Sequence, residues 1–99
     1  MALRFEWDLA KAEANFEKHG VSFEEATTLF DDSFAVTFDD EDHSEDEQRE
    51  IIIGRTAADI LLIVAFTERQ GDVIRLISAR AATRRERKDY EENSNFQTE

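Results

Sequence analysis

Apolar and polar positions alternate over the first residues of the chain and recur at helical spacing just after. Leu3, Phe5 and Trp7 alternate with Arg4 and Glu6, the period-two pattern of a short strand. Leu9, Ala12, Phe16 and His19 fall three and four residues apart. That spacing predicts a helix over 9–18 with those four side chains on its buried face. Asp8 is placed to cap its start, and Gly20 to take the left-handed position beyond its end. Ser22 and Glu25 have the spacing of a capping box, and Phe23, Ala26, Leu29 and Phe30 make the apolar face of a second helix. The Asp31-Asp32 pair closes it. Two helices this close are expected to pack as a hairpin on one face of a sheet.

Phe34, Val36 and Phe38 alternate and predict a second strand. Positions 39–50 hold eight acidic residues and read as a solvated loop. Strands follow over 51–56 and 60–67; the latter, ILLIVAFT, is apolar on both faces and belongs in the sheet centre. Another begins at Val73. Ala57-Ala58-Asp59 and Arg69-Gln70-Gly71 are hairpin-sized gaps, so these three strands are expected to form an antiparallel meander. Thr83 and Glu86 have capping-box spacing and start a last helix, expected over 84–93, with 94–99 a loose tail. Residues 1–93 then make one domain of order β-α-α-β-β-β-β-α. The fold class is α+β: one antiparallel sheet, an N-terminal helix hairpin and a C-terminal helix, with the helices gathered on one side.

Charge changes the picture. Twenty-four acidic residues against twelve basic ones leave −12, which argues against indiscriminate binding to nucleic acid or anionic membranes. Yet half of the cations, Arg75, Arg80, Arg84, Arg85, Arg87 and Lys88, fall where the one acid is Glu86: six against one, a local +5. Screening over roughly 8 Å at physiological salt makes that local charge the relevant one. The acidic remainder suits a basic protein partner. No apolar run approaches the roughly 20 residues that span a bilayer. Without cysteine there is no disulfide and no thiolate metal site. No secretory signal is recognisable, and a cytoplasmic location is expected. No GxGxxG, Walker loop, HExxH or EF-hand pattern occurs, and the acidic run lacks the glycine and spacing of a calcium loop.

Several segments resemble the BrnT toxin family. FEWD (5–8), Lys11-Ala12, Asn15 and KHGVSFEEA (18–26) resemble its first half. His43-Ser44, the IGR of 53–55, TER (67–69) and ISARAATRRERKDY (77–90) resemble the rest. The resemblance implies a RelE-like fold and metal-free ribonuclease activity with no cofactor. It also implies a BrnA antitoxin with a ribbon-helix-helix DNA-binding domain, in a complex of two toxins with two antitoxins. Such a complex represses its own operon, touching operator DNA only through the antitoxin. Two other readings remain open: a toxin fold that binds antitoxin but has lost catalysis, and an acidic interaction domain.

Metal-free RNA cleavage needs a base for the 2′-hydroxyl, cations for the phosphate and an acid for the leaving oxygen. Arg80, at a strand end beside the basic helix, is the first candidate for the phosphate, since a guanidinium fork can grip two oxygens; the plainer reading pairs it with a neighbouring acid. In RelE-like toxins a tyrosine on the last helix lines the cleft, and Tyr90 is the matching residue here; the alternative is a ring packed on the sheet. His19 follows Lys18 at a helix C-terminus, where the dipole favours a cation, and a histidine near neutrality suits proton transfer. His43 lies in the acidic loop. Glu68, at a turn, is a candidate base, and Arg69 beside it a candidate RNA contact. Lys18, Arg84, Arg85, Arg87 and Lys88 are candidates to track RNA phosphates, against the plainer reading of a solvated face. Phe34 and Phe38 could stack on bases or pack in the core.

Overall fold

The computed structural model of the chain describes residues 3–40 and 48–98. His43 and the centre of the acidic run lie outside them. The elements are β1 (Arg4–Glu6), α1 (Leu9–His19), α2 (Phe23–Thr27) with a 3₁₀ turn at Thr28–Asp31, β2 (Val36–Asp39), β3 (Arg49–Arg55), β4 (Leu61–Arg69), β5 (Val73–Ala81) and α3 (Arg84–Thr98).

The caps form where their residue types place them. Asp8 Oδ1 accepts the Lys11 N–H at 3.1 Å, and Gly20 closes α1 at φ 70°. Ser22 Oγ accepts the Glu25 N–H at 3.1 Å. The expected end of α3 near Asn93 is passed. Nothing between Asn93 and Thr98 is glycine or proline, and helix continues to Thr98. Among the described residues no helix is long and apolar enough to cross a membrane.

The five strands lie in the order β1-β5-β4-β3-β2. β2 to β5 form an antiparallel meander, one strand longer than the three expected. β1 corrects the all-antiparallel expectation: it pairs with β5 in parallel, Phe5 beside Ile74. The chain leaves β1 through the helices to the far edge, and the meander returns β5 beside it. A three-residue strand carries no pattern from which its direction could be read.

One face of the sheet holds the main core. Phe23, Ala26 and Leu29 of the helical hairpin pack on Ile52, Leu62, Val64, Phe66, Ile74, Leu76 and Ala79. Phe30 meets the rings of Phe5 and Phe66, each at 5.2 Å between centroids. Burying each large side chain fully contributes about 1.5–3 kcal/mol. α3 does not join this layer, a second correction. Its Tyr90 packs with Val36, Ile53 and Leu61 on the opposite face. The helices therefore sandwich part of the sheet, as a central strand apolar on both faces requires.

α1 differs from its expected orientation. Leu9 is 76 % exposed, Phe16 is 55 % exposed and His19 is exposed, whereas Asn15 is buried. Asn15 sets the rotation of the helix. Its Nδ2 donates to the carbonyls of Val21 (3.1 Å) and Ala79 (2.8 Å), and its Oδ1 accepts the Ala79 N–H (3.0 Å). Beyond Glu6, where β1 has ended, this amide takes the place of a strand along the edge of β5.

Candidate nucleic-acid interface

Strand register sorts the charges. Thr67 on β4 stands opposite Arg49 on β3 and Arg75 on β5, and Arg75 stands beside Glu6 on β1. Directly opposed side chains share a face, and alternation along each strand extends the assignment. The face that carries α3 receives Arg4, Arg49, Arg55, Arg75 and Arg80 against the single strand acid Glu6. The face under the helical hairpin receives Asp39, Glu50 and Glu68, and Arg69 at the end of β4 lines a pocket there with Phe30, Ile52 and Glu68.

Arg80 reaches the cationic face because of a bulge. Ala65 pairs with Ser78 but Phe66 with Leu76, so Ile77 has no partner and the alternation of β5 shifts by one. Ala79 then enters the core, while Arg80 emerges opposite Ile63.

The guanidinium fork of Arg80 closes on Glu86, with Nη1 to Oε1 and Nη2 to Oε2 both at 2.9 Å. The same carboxylate accepts the Thr83 N–H at 2.9 Å, and Thr83 Oγ1 accepts the Glu86 N–H at 3.2 Å, a complete capping box. Arg80 is thus built into the start of α3, the plainer of its two readings. Its hydrogen bonds to Arg80 hold the Glu86 carboxyl below its ordinary 4.5, against an opposing effect of burial. A carboxyl lowered by folding adds stability that is whole above its unfolded value and is lost as pH falls through its folded one. Thermal stability is therefore expected to drop on acidification from pH 5 through the folded value, and Glu86→Gln to show a smaller drop. Thermal melts across that range check it; identical acid profiles would contradict it.

Tyr90 is 5 % exposed. Its hydroxyl donates to Asp32 Oδ2 at 2.7 Å, and the Arg55 guanidinium lies 5.6 Å from its ring centroid. Asp32 also accepts the N–H groups of Arg55 (2.8 Å) and Phe34 (2.9 Å). Burial opposes ionisation of Asp32, but these donors together outweigh it and hold the carboxyl low. Burial, then the bond to Asp32, pushes the Tyr90 phenol up. The tyrosine anchors α3 to the turn before β2. Gly54 leaves room for that turn, since a Cβ there would meet Ala35 Cβ at 3.1 Å.

The other candidates lie apart. Lys18 and His19 are exposed at the end of α1, in the helical layer. Glu68 is on the acidic face. There burial, then the charges of Glu68 and Asp39, pushes the Glu50 carboxyl up, and the protonated Glu50 donates a hydrogen bond to Glu68. Arg80, Tyr90, His19 and Glu68 therefore do not converge on one site. Arg84, Arg85, Arg87 and Lys88 are exposed on α3, and Arg69 is exposed at the end of β4. Phe34 is exposed and Phe38 is 40 % exposed on the cationic face beside Ile51, so neither fills the core. Among the described residues no group of three His, Asp or Glu side chains is placed to hold a metal ion.

The cross-strand row of Arg49, Thr67 and Arg75 was not singled out from sequence, because it exists only once three strands are paired. The Arg75 guanidinium meets Glu6 Oε2 at 3.0 Å. Thr67 Oγ1 is buried without a hydrogen-bond partner among the described residues.

The family model for the ribonuclease toxin BrnT of type II toxin–antitoxin systems matches residues 7–86. The fold is similar to the 1.1 Å crystal structure of the Brucella abortus ribonuclease toxin BrnT. The TM-score is 0.64 at 24 % identity, covering 84 % of this chain and 100 % of that one. At that identity the likeness concerns the fold alone. No curated protein matches the chain.

Proposed function

The chain belongs to the BrnT family of ribonuclease toxins of type II toxin–antitoxin systems, and from that premise we propose that it cleaves RNA held on the arginine-bearing sheet face. The observation that supports this reading is the segregation of charge by register: five strand arginines against one strand acid on that face, in a chain of net charge −12. Phosphates bind local cations, not the net charge. Arg49 and Arg75 flank the Thr67 hydroxyl at one end of the face; Arg80 and the exposed Arg84, Arg85, Arg87 and Lys88 lie towards the other. From Thr67 to Ile63, the row of Arg80, is four residues, roughly 13 Å along the strand. An oligonucleotide can bridge that span, with Phe38 between as a stacking surface.

In this reading Arg80 supplies charge at the helix start, and grips a phosphate only where Glu86 gives way. Tyr90 keeps α3, and with it the basic helix, in position. The reaction is endoribonucleolytic and metal-free, on a RelE-like scaffold, in the cytoplasm. A BrnA-like ribbon-helix-helix antitoxin neutralises the toxin, two with two, and the complex represses its operon through the antitoxin's DNA contacts.

A second reading has an observation behind it: Arg80 and Tyr90 are both closed in pairs, as expected of a toxin fold that binds antitoxin without cleaving RNA. Induced expression separates the two. The nuclease reading expects growth arrest relieved by the antitoxin, and RNA cleavage by purified protein that survives EDTA. Growth without arrest supports the inactive module. Activity lost in EDTA and restored by magnesium contradicts the metal-free reaction.

A further inference from the structure

The outer side of the helical hairpin carries an apolar groove at the edge of the core. Leu9 and Phe16 stand seven residues apart on α1, two turns and roughly 10 Å along the helix. They are 76 % and 55 % exposed. Trp7, Ala12 and Phe23 line the groove with them, in a volume of about 410 Å³. A contiguous apolar patch on an exposed helix face, rimmed by polar residues, marks an interaction surface.

The rim decides what can. Glu13, Glu17 and Glu24 border the groove, and no lining residue is a cation. RNA is repelled by such a rim. A second copy docking symmetrically would set the same three carboxylates against themselves. The matching surface is an apolar helix face flanked by lysine or arginine, laid along α1 with anchors two turns apart.

We propose that this groove docks a cationic amphipathic helix of the antitoxin; this rests on the reading of the chain as half of a toxin–antitoxin pair. The groove lies in the layer opposite the arginine face. Docking there tethers the antitoxin, and a different segment of it covers the RNA-binding face. The carboxylate rim speeds encounter with a basic partner, with an advantage that shrinks as salt rises.

The probe is the purified product of the reading frame adjacent to that of the toxin, titrated into the full chain calorimetrically. Leu9→Ser with Phe16→Ser is expected to weaken binding at fixed salt by about tenfold or more, as loss of buried anchors does. Glu13→Lys with Glu17→Lys, both at exposed positions, is expected to weaken binding and flatten its salt dependence. Both variants are expected to keep the wild-type circular dichroism spectrum and to arrest growth in the presence of antitoxin that silences the wild type. Unchanged affinity in both pairs overturns the groove while leaving the toxin–antitoxin reading standing. Failure of the wild type to bind the antitoxin overturns that reading and the groove with it. A wild-type homodimer in sedimentation that Leu9→Ser with Phe16→Ser dissociates makes a second copy the occupant and overturns the proposal.

Discussion

Asn15→Ala is expected to destabilise the fold by about 3–6 kcal/mol, a large share of the roughly 5–15 kcal/mol that a domain of this size possesses. The asparagine is buried on α1, and its amide serves the carbonyls of Val21 and Ala79 and the N–H of Ala79. Truncation leaves those three backbone groups without partners, and each such group costs about 1–3 kcal/mol. The same change removes the side-chain hydrogen bonds that tie α1 to the edge of β5. Urea unfolding measures the loss, and the melting temperature should fall by more than about 12 °C. Phe16→Ser on the same helix is the control. Its side chain is 55 % exposed, and a change there should cost at most about 0.5 kcal/mol. Comparable losses in the two variants would mean that α1 is held by its apolar residues.

Charge reversal on the sheet has the largest expected effect on activity. Arg49→Glu combined with Arg75→Glu should abolish growth arrest. It turns a row of two cations about Thr67 into three acids, Glu6 included. The milder Arg75→Gln removes one charge and frees Glu6. It should lower RNA affinity and reduce the slope of log affinity against log salt by about one, the signature of a lost phosphate contact. The backbone pairing of these strands involves no side chain, so circular dichroism should stay that of the wild type. Undiminished arrest in the double variant would remove this row from RNA binding.

Local signals were readable where one residue type answers one geometric demand. Asp8, Gly20, Ser22, Thr83 and Glu86 end helices through contacts within four residues, and each did so as its type predicts. The apolar run of β4 announced a central strand. The arginine-bearing face, the rotation of α1 and the partners of Tyr90 were not readable, each for a physical reason. Arg49, Thr67 and Arg75 are brought together by pairing across three strands. Plain alternation through Leu76, Ser78 and Arg80 turns Arg80 towards the core, and only the bulge at Ile77 reverses it. On α1 the apolar stripe of Leu9 and Phe16 suggested the buried face, yet the polar Asn15 outcompeted it by meeting an otherwise unpaired strand edge. Tyr90 was placed at an active cleft by its resemblance alone, and its partners Asp32 and Arg55 are too distant in sequence to be read from it.

The central claim, that register gives this acidic chain an RNA-cleaving arginine face, is tested most directly by one assay on the purified full chain. A fluorescently labelled single-stranded RNA is incubated in EDTA with the wild type, with Arg49→Glu/Arg75→Glu and with Glu13→Lys/Glu17→Lys. Cleavage is expected from the wild type, none from the arginine variant, and wild-type cleavage when only the carboxylates of the opposite layer are reversed. Cleavage by the arginine variant at the wild-type rate would contradict that claim.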